Sequence, residues 1–487
     1  MTTADTRTSD MTSQTLTVPQ RIDAAIAELA PHFAERLSRN PSVCEQHAHG
    51  EGYHARHFPH AVIFAQSTQE VSQILRVCNA WRAPVVPFGA GTSLEGQVNA
   101  IEGGISIDLS RMDKVLEVNA GDMDCRVQAG VTRQALNAYL RDEGLFFPVD
   151  PGGEATIGGM CATRASGTGA VRYGTIRENV LGLTVVLADG RVMQVGRRVR
   201  KSAMGYDLTH LMIGSEGTLG IITEVQVRLH GVPETLAAAV CQFDTLADCV
   251  NTAVQVMQMG VPIGRMELLD DVQMDACIRF SKLEGFRPVP TMFFEFAGGP
   301  EAVREQVALV EDIVAENHGS AFTWSTREQE RAELWKARHA VYWACLAYRP
   351  GYTGISTDAI VPISALTDMI LGAKKDIEDS GITAPIVGHI GDGNFHTVML
   401  VPEGEDWLAK AHALDRRIIA RALSLGGSAS GEHGVGLAKM EFMPDEHDAV
   451  ALDVMRAIKH ALDPNGILNP GKLLPAVAAH PKACQPA

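Results

Sequence analysis

From residue 61 onward, short apolar runs alternate with stretches whose apolar residues return every three to four positions, a pattern that predicts strands and helices in turn. The runs at 61–65, 84–88, 105–109, 115–118, 126–129, 180–187 and 220–229 read as strands. Between the first two, Ser67 and Glu70 form an S-x-x-E capping box that opens a helix with Val71, Ile74, Leu75 and Cys78 on one face. Thr132 opens another. Around Gly231, Val232 and Pro233 the texture changes to longer helical stretches, at 246–259, 301–316 and 327–348, with strand-like runs such as 291–296 between them. A last helix is expected at about 445–462. The chain therefore divides into a frayed Thr- and Ser-rich tail (1–19) and lead-in helix at 1–53, a first domain at 54–232, a second at 233–425 and a closing segment at 426–487.

Three glycine-rich regions interrupt this pattern. GAGTSLEG at 89–96 follows a strand directly, where backbone N–H groups released from a ladder can converge on an anion such as a pyrophosphate. A tight turn explains it equally well, and the spacing misses GxGxxG because Leu94 stands where the third glycine belongs. The second region, 151–174, is too rich in glycine for regular structure and is expected to be a loop. Two such loops in one domain suit a long ligand with several polar segments. The third region, 426–436, precedes the last helix. GILNPGK at 466–472 fits GxxxxGK, but Leu473 follows where a P-loop needs Ser or Thr, so it is set aside.

Composition narrows the partners. The 487 residues are 46% hydrophobic with a net charge of −16, which fits a globular protein and argues against nucleic acid as a partner. The nine cysteines form no CxxC pair, so neither a disulfide framework nor a cysteine zinc site is indicated. No run approaches the roughly 18 apolar residues of a membrane span, and the N-terminus has no apolar signal core and little Arg-rich character. A reducing, cytoplasmic setting is expected, with a peripheral seat at the inner face of a membrane left open.

Candidate chemistry gathers late in the chain. Runs at 385–390 and 395–401 flank Gly391, Asp392, Gly393 and Asn394, a composition suited to a hairpin. If Ile390 pairs with Phe395, His389 pairs with His396, and both imidazoles share one face with Cβ atoms about 5 Å apart, close enough for one divalent ion. Two polar residues capping a hairpin is the plainer alternative. Glu432 supplies a third ligand, and two imidazoles with one carboxylate leave open positions, as a catalytic ion requires. Zinc and manganese both fit. His433, next to Glu432, can accept a proton near neutral pH. The histidines 47, 49, 54, 57 and 60 have no carboxylate scaffold and are discounted.

Several motifs carry a family resemblance: PFGAGTSLEG (87–96), IDLS (107–110), Gly158 and Gly159 with ASG (165–167), and SEGTLGI (215–221). In this order they resemble the FAD-binding domain of the vanillyl-alcohol oxidase and p-cresol methylhydroxylase (PCMH) superfamily. GHIGDGNFH (388–396), SGEHGVG (430–436) and LNPGK (468–472) resemble the branch of D-lactate, D-2-hydroxyglutarate and glycolate dehydrogenases. WKARH (335–339) and STD (356–358) point to the mitochondrial-type D-lactate dehydrogenases within it.

The resemblance implies an α+β fold: a two-subdomain PCMH-type FAD-binding domain (54–232), an α+β cap over the flavin (233–425) and a C-terminal segment returning to the flavin (426–487). It assigns non-covalent FAD to Pro87, Gly89, Ala90, Gly91, Thr92 and Ser93, to Pro151, Gly152, Thr156, Gly158, Gly159, Ala165, Ser166 and Gly167, to Glu216, Gly217, Gly220 and Ile221, and to Asn469. Cys161 is the one thiol near enough to the loops to raise a covalent link. The resemblance makes Arg338 the group that grips the substrate carboxylate, with Asn394 donating to it.

The expected reaction has the ion bind the α-hydroxyl and one carboxylate oxygen of a D-2-hydroxy acid, D-lactate first, with glycolate or D-2-hydroxyglutarate as alternatives. His433 takes the hydroxyl proton while hydride leaves Cα for flavin N5. A quinone, a cytochrome or an electron-transfer flavoprotein then accepts the electrons, and a homodimer is left open. An oxygen-dependent flavin alcohol oxidase leaves the metal constellation unused, and a metal hydrolase leaves both glycine loops unexplained. Thr353 stands where relatives often carry a lysine; if it faces the pocket, small monocarboxylates are favoured over diacids.

Overall fold

In the computed structural model residues 16–476 are described, the side chains of His339 and Glu405 excepted. Most of the expected tail therefore lies outside the described residues, but its end does not: Val18–Phe33 is helical, with Thr17 as N-cap and Pro19 in the first turn, where a missing N–H costs nothing.

The first half builds two larger sheets and a two-stranded one that pairs Leu145–Phe146 with His230–Gly231. Ala61–Phe64, Ile105–Asp108 and Val85–Phe88 run parallel, with Leu37–Ser38 antiparallel at the edge. Thr68–Trp81 covers this sheet by burying Val71, Ile74, Leu75 and Cys78. Only half of the expected capping box forms. Ser67 Oγ accepts from Glu70 N–H at 3.2 Å, but the Glu70 carboxylate takes the Gln66 N–H and a two-pronged bond from Arg36 at 2.7 Å. The second sheet is antiparallel, in the order Val115–Asn119, Asp124–Gln128, Ile221–Arg228, Val180–Val186, Val192–Gly196.

The second half is dominated by one eight-stranded sheet, in the order Ser320–Ser325, Thr235–Gln242, Thr291–Gly298, Arg265–Leu269, Ile386–His389, Asn394–Val401, Thr353–Ser356, with Ala359–Ile360 also paired to Asn394–Val401. Leu246–Gln258, Pro300–Glu316 and Leu366–Ser380 pack on it through their apolar faces. The chain then returns to the first sheet: Val85 N–H donates to Ile467 O and Asn469 N–H donates to Val85 O, both at 2.8 Å.

Three expected elements differ. The stretch 327–348 is two helices, Glu328–His339 and Val341–Tyr348, because Ala340 N–H turns back to Ala337 O; the first packs Trp335 near Phe293 and the second packs Cys345 on Val398 and Leu400. The last helix, Ala449–Leu462, starts later than expected, at Asp448, whose carboxylate accepts from Ala451 N–H. The second glycine region is not all loop. Thr156 caps a helix at Ile157–Thr163 by accepting from Gly159 N–H, and Gly158 is needed there because a Cβ would lie 2.5 Å from the Cβ of Ala129.

Candidate active site

Between the sheets of the first half and the large sheet lies a cleft of about 1060 Å³. Of the residues assigned to the cofactor, all but Gly167 line it. Gly167 instead backs onto Asp150, where a Cβ would lie 2.3 Å from the carbonyl oxygen. Two others line the cleft with their side chains already engaged. The Glu216 carboxylate accepts from Val435 N–H at 2.7 Å and Gly436 N–H at 2.9 Å, so it anchors the returning loop; burial pushes its carboxyl up to about 7. Asn469 Nδ2 donates to Gln97 O and Glu216 O. The cleft suits an extended, polar ligand: Ser93 Oγ is buried with no partner among the described residues, and a Cβ on Gly89 would come within 2.6 Å of Thr156 Oγ1. Cys161 is outside the lining, in the apolar core, where burial raises its thiol. The segment 49–53 also lines the cleft, a contribution that no pattern in its sequence announced.

The histidine hairpin forms with a register two residues from the one expected. His396 pairs with Val387, and His389 pairs with Asn394. Ile390 leaves the ladder for the apolar core, where it is fully buried, and the tight turn falls at 390–393 with Gly393 at φ +86°. A shift of two preserves the face, because side chains alternate with period two. The imidazoles are therefore diagonal neighbours, with ring centroids 5.3 Å apart. Glu432 Oε1 lies 3.1 Å from His396 Nε2 and 3.4 Å from His389 Nε2. One ligand atom from each of the three lies within 4.8 Å of the others, the one such cluster among the described residues. His396 Nδ1 donates to Thr357 O at 3.0 Å, which leaves its Nε2 facing the cluster. That Nε2 and Glu432 Oε2 are buried without a hydrogen-bond partner among the described residues. Orphaned acceptors at this depth are costly and fit an ion between them. Burial alone would lower the His389 imidazole, but Glu267 and Glu432 outweigh it and hold it well above its ordinary value.

His433 stacks on His396 at 5.0 Å with planes 9° apart, and its Nδ1 donates to Glu95 Oε1 at 3.2 Å. Asp358 organises the turn. Its fully buried carboxylate accepts from Ser430 Oγ at 2.8 Å, Glu432 N–H at 3.0 Å and His433 N–H at 2.9 Å, with Lys439 Nζ at 3.6 Å. Arg338 lines the cleft and is held through Nε by Glu267 at 2.8 Å. Asn394 does not face the cleft; its Nδ2 is spent on Asp358 Oδ1 at 2.8 Å and Ala359 O at 3.0 Å, so the donor expected for substrate is already used. Thr353 is exposed and outside the lining, whereas Gly354 and Ser356 line it. Apolar side chains close this end: Leu346, Val387 and Val398, with Tyr342 and Trp343 at the rim.

Four of the discounted histidines have separate partners: His47 holds Asp108 at 2.9 Å, His49 bonds Gly50 O, His54 bonds Leu94 O and His60 accepts from Gly104 N–H. Glu95, Glu267, Asp358 and Lys439 were not singled out from sequence. Glu95 and Asp358 sit inside the quoted motifs, and a lone acid in the apolar run 266–269 was a signal in itself, since a buried carboxylate must find a counter-charge.

Residues 59–196 match the family described as FAD binding domain, and residues 232–473 match FAD linked oxidases, C-terminal domain. The probable mitochondrial D-lactate dehydrogenase of Danio rerio is 48% identical, over 90% of this chain and 89% of that protein. The chain belongs to the FAD-linked D-lactate dehydrogenase family. The mitochondrial D-lactate dehydrogenase [cytochrome] of Arabidopsis thaliana, another family member, is 44% identical over 88% of this chain and 77% of its own. A crystal structure of p-cresol methylhydroxylase with substrate bound has the same fold, with a TM-score of 0.76 at 17% identity, over 93% of this chain and 96% of that one. The fold is thus the expected α+β, PCMH-type flavin fold, and FAD is the family's cofactor.

The cytoplasmic expectation is overturned, since both of these family members are named mitochondrial. It rested on unpaired cysteines and on an N-terminus with little Arg-rich character; the eight cysteines described are indeed free and buried, but buried thiols do not distinguish one compartment from another, and residues 1–15 lie outside the described residues. Among the described residues no helix is long and apolar enough to cross a membrane.

Proposed function

We propose that the protein is an FAD-dependent dehydrogenase that oxidises D-lactate to the 2-oxo acid and passes the electrons to a cytochrome-type acceptor rather than NAD. The names of its relatives support the substrate and the acceptor. When bound, FAD supplies the two-electron acceptor, and a divalent ion, zinc or manganese, supplies a Lewis acid for the α-hydroxyl. Pro87, the 89–93 loop, Thr156, Gly158, Gly159 and the 217–221 strand entry would hold the flavin; His389, His396 and Glu432 would hold the ion.

The chain's own groups do the rest. Arg338, fixed at Nε, turns its terminal nitrogens to the substrate carboxylate. His433, donating to Glu95 from Nδ1, keeps the Nε2 lone pair for the α-hydroxyl proton. Leu346, Val387 and Val398 enclose a small apolar side chain and exclude water. The observation that carries this reading is the convergence of the three ligands, His433 and Arg338 on the lining of one glycine-walled cleft.

The preference for a small substrate rests on this apolar end and not on Thr353. Two other guanidiniums line the cleft: Arg265 is bound by Asp150 at 3.1 Å and Glu295 at 3.4 Å, and Arg133 opens the helix capped by Thr132, which bridges to Thr156 in the glycine-walled part. A distal carboxylate would lack a charge-assisted partner typically worth about 1.5 to 3 kcal/mol. With a dye or cytochrome acceptor, kcat/KM for D-lactate should exceed that for D-2-hydroxyglutarate by about tenfold or more, and L-lactate should be inert. Preference for the diacid would show that Arg265 or another cation is free to serve it.

A further inference from the structure

Glu267 lies in Arg265–Leu269, in an otherwise apolar run, and its side chain is fully buried. The ladder to Ile386–His389 pairs Leu269 with Val387 and Leu268 with Gly388, so one further step sets Glu267 opposite His389. Its two oxygens go to two different groups. Oε1 accepts from His389 Nδ1 at 2.7 Å, and Oε2 accepts from Arg338 Nε at 2.8 Å. Glu267 itself is outside the cleft lining, whereas both of its partners are part of it. A carboxylate at this depth is costly unless paired, and a hydrocarbon would fill the space more cheaply, so the charge needs a use.

We propose that Glu267 is a positioning residue that couples the metal half of the site to the substrate half. The inference rests on the metal and carboxylate roles assigned above. On one side the carboxylate fixes His389 in the tautomer with hydrogen on Nδ1, which leaves the Nε2 lone pair beside Glu432 and His396 and strengthens the imidazole as a ligand. On the other side it holds Arg338 by Nε alone, so the terminal guanidinium nitrogens remain for a carboxylate in the cleft. One anion therefore orients both an ion ligand and the substrate clamp, and occupancy of either half favours the arrangement that the other needs.

Glu267→Gln separates this from a packing role, because an amide cannot serve both partners. With its oxygen toward His389, its NH₂ faces the Arg338 Nε–H. With its NH₂ toward His389, the imidazole hydrogen is forced onto Nε2, where it blocks an ion. In FAD-loaded Glu267→Gln, chelator competition should show zinc binding about 10- to 100-fold weaker than in wild type. KM for D-lactate should rise while kcat at saturating zinc stays within a few-fold. Flavin content and Tm should stay near wild type. Glu267→Asp keeps the charge and should fall between the two in zinc affinity; if the Gln variant does not fold, the Asp variant decides alone. Wild-type zinc affinity in the folded variant would overturn the inference. Wild type that binds neither zinc nor manganese more tightly than His389→Ala would overturn the metal reading itself, and this inference with it.

Discussion

Glu432→Ala is expected to abolish turnover, with kcat falling by about 10³-fold or more, while the protein stays folded and keeps its flavin. Glu432 is the one carboxylate of the cluster, and its Oε1 is shared between the two imidazoles. Removing it leaves two neutral ligands and no anion to balance a divalent ion. The loop that carries it should survive, because Asp358 holds the turn through the backbone N–H groups of residues 432 and 433 and through Ser430 Oγ. FAD should be retained as well, because the glycine-lined walls come from other segments. Metal analysis, the flavin absorbance and single-turnover reduction check the three parts. Full activity in a preparation shown to be free of metal would contradict the assignment.

His433→Asn is expected to slow flavin reduction by D-lactate by about 10²- to 10⁴-fold, the usual contribution of a positioned general base. Asparagine can keep a donor toward Glu95 but has no ring nitrogen to take a proton. Glu95, flanked by Lys439 at 3.7 Å, holds the imidazole tautomer, so Glu95→Gln should have a smaller effect in the same direction. Rapid-reaction measurement of the reductive half-reaction separates this from product release or reoxidation. An unchanged reductive rate at neutral pH would give the role to another group.

Local chemistry made much of this site legible. Strand runs, N-caps and the glycine loops are short-range signals, and the residues they marked form one cleft, because a ligand-lining loop must carry its glycines in its own sequence. Non-local facts were not legible. The hairpin register depended on Ile390 gaining more from the core than from the ladder, and that core is assembled from residues far apart in the chain. The helix at Ile157–Thr163 depended on Gly158 closing against Ala129, a contact across the fold. Glu267 lies 122 residues from His389, and no spacing rule connects them. Asn394 looked free beside the ligands, but its amide belongs to Asp358. The compartment was beyond reach because it leaves no mark on a buried thiol.

The most direct measurement of the central claim is anaerobic titration of the purified, FAD-loaded protein with D-lactate, followed at the flavin absorbance near 450 nm and repeated with L-lactate. The account predicts full bleaching by D-lactate with one equivalent of 2-oxo acid formed per flavin, none with L-lactate, and loss of the reaction in Glu432→Ala. A flavin that D-lactate leaves oxidised, or that both enantiomers reduce at the same rate, would contradict it.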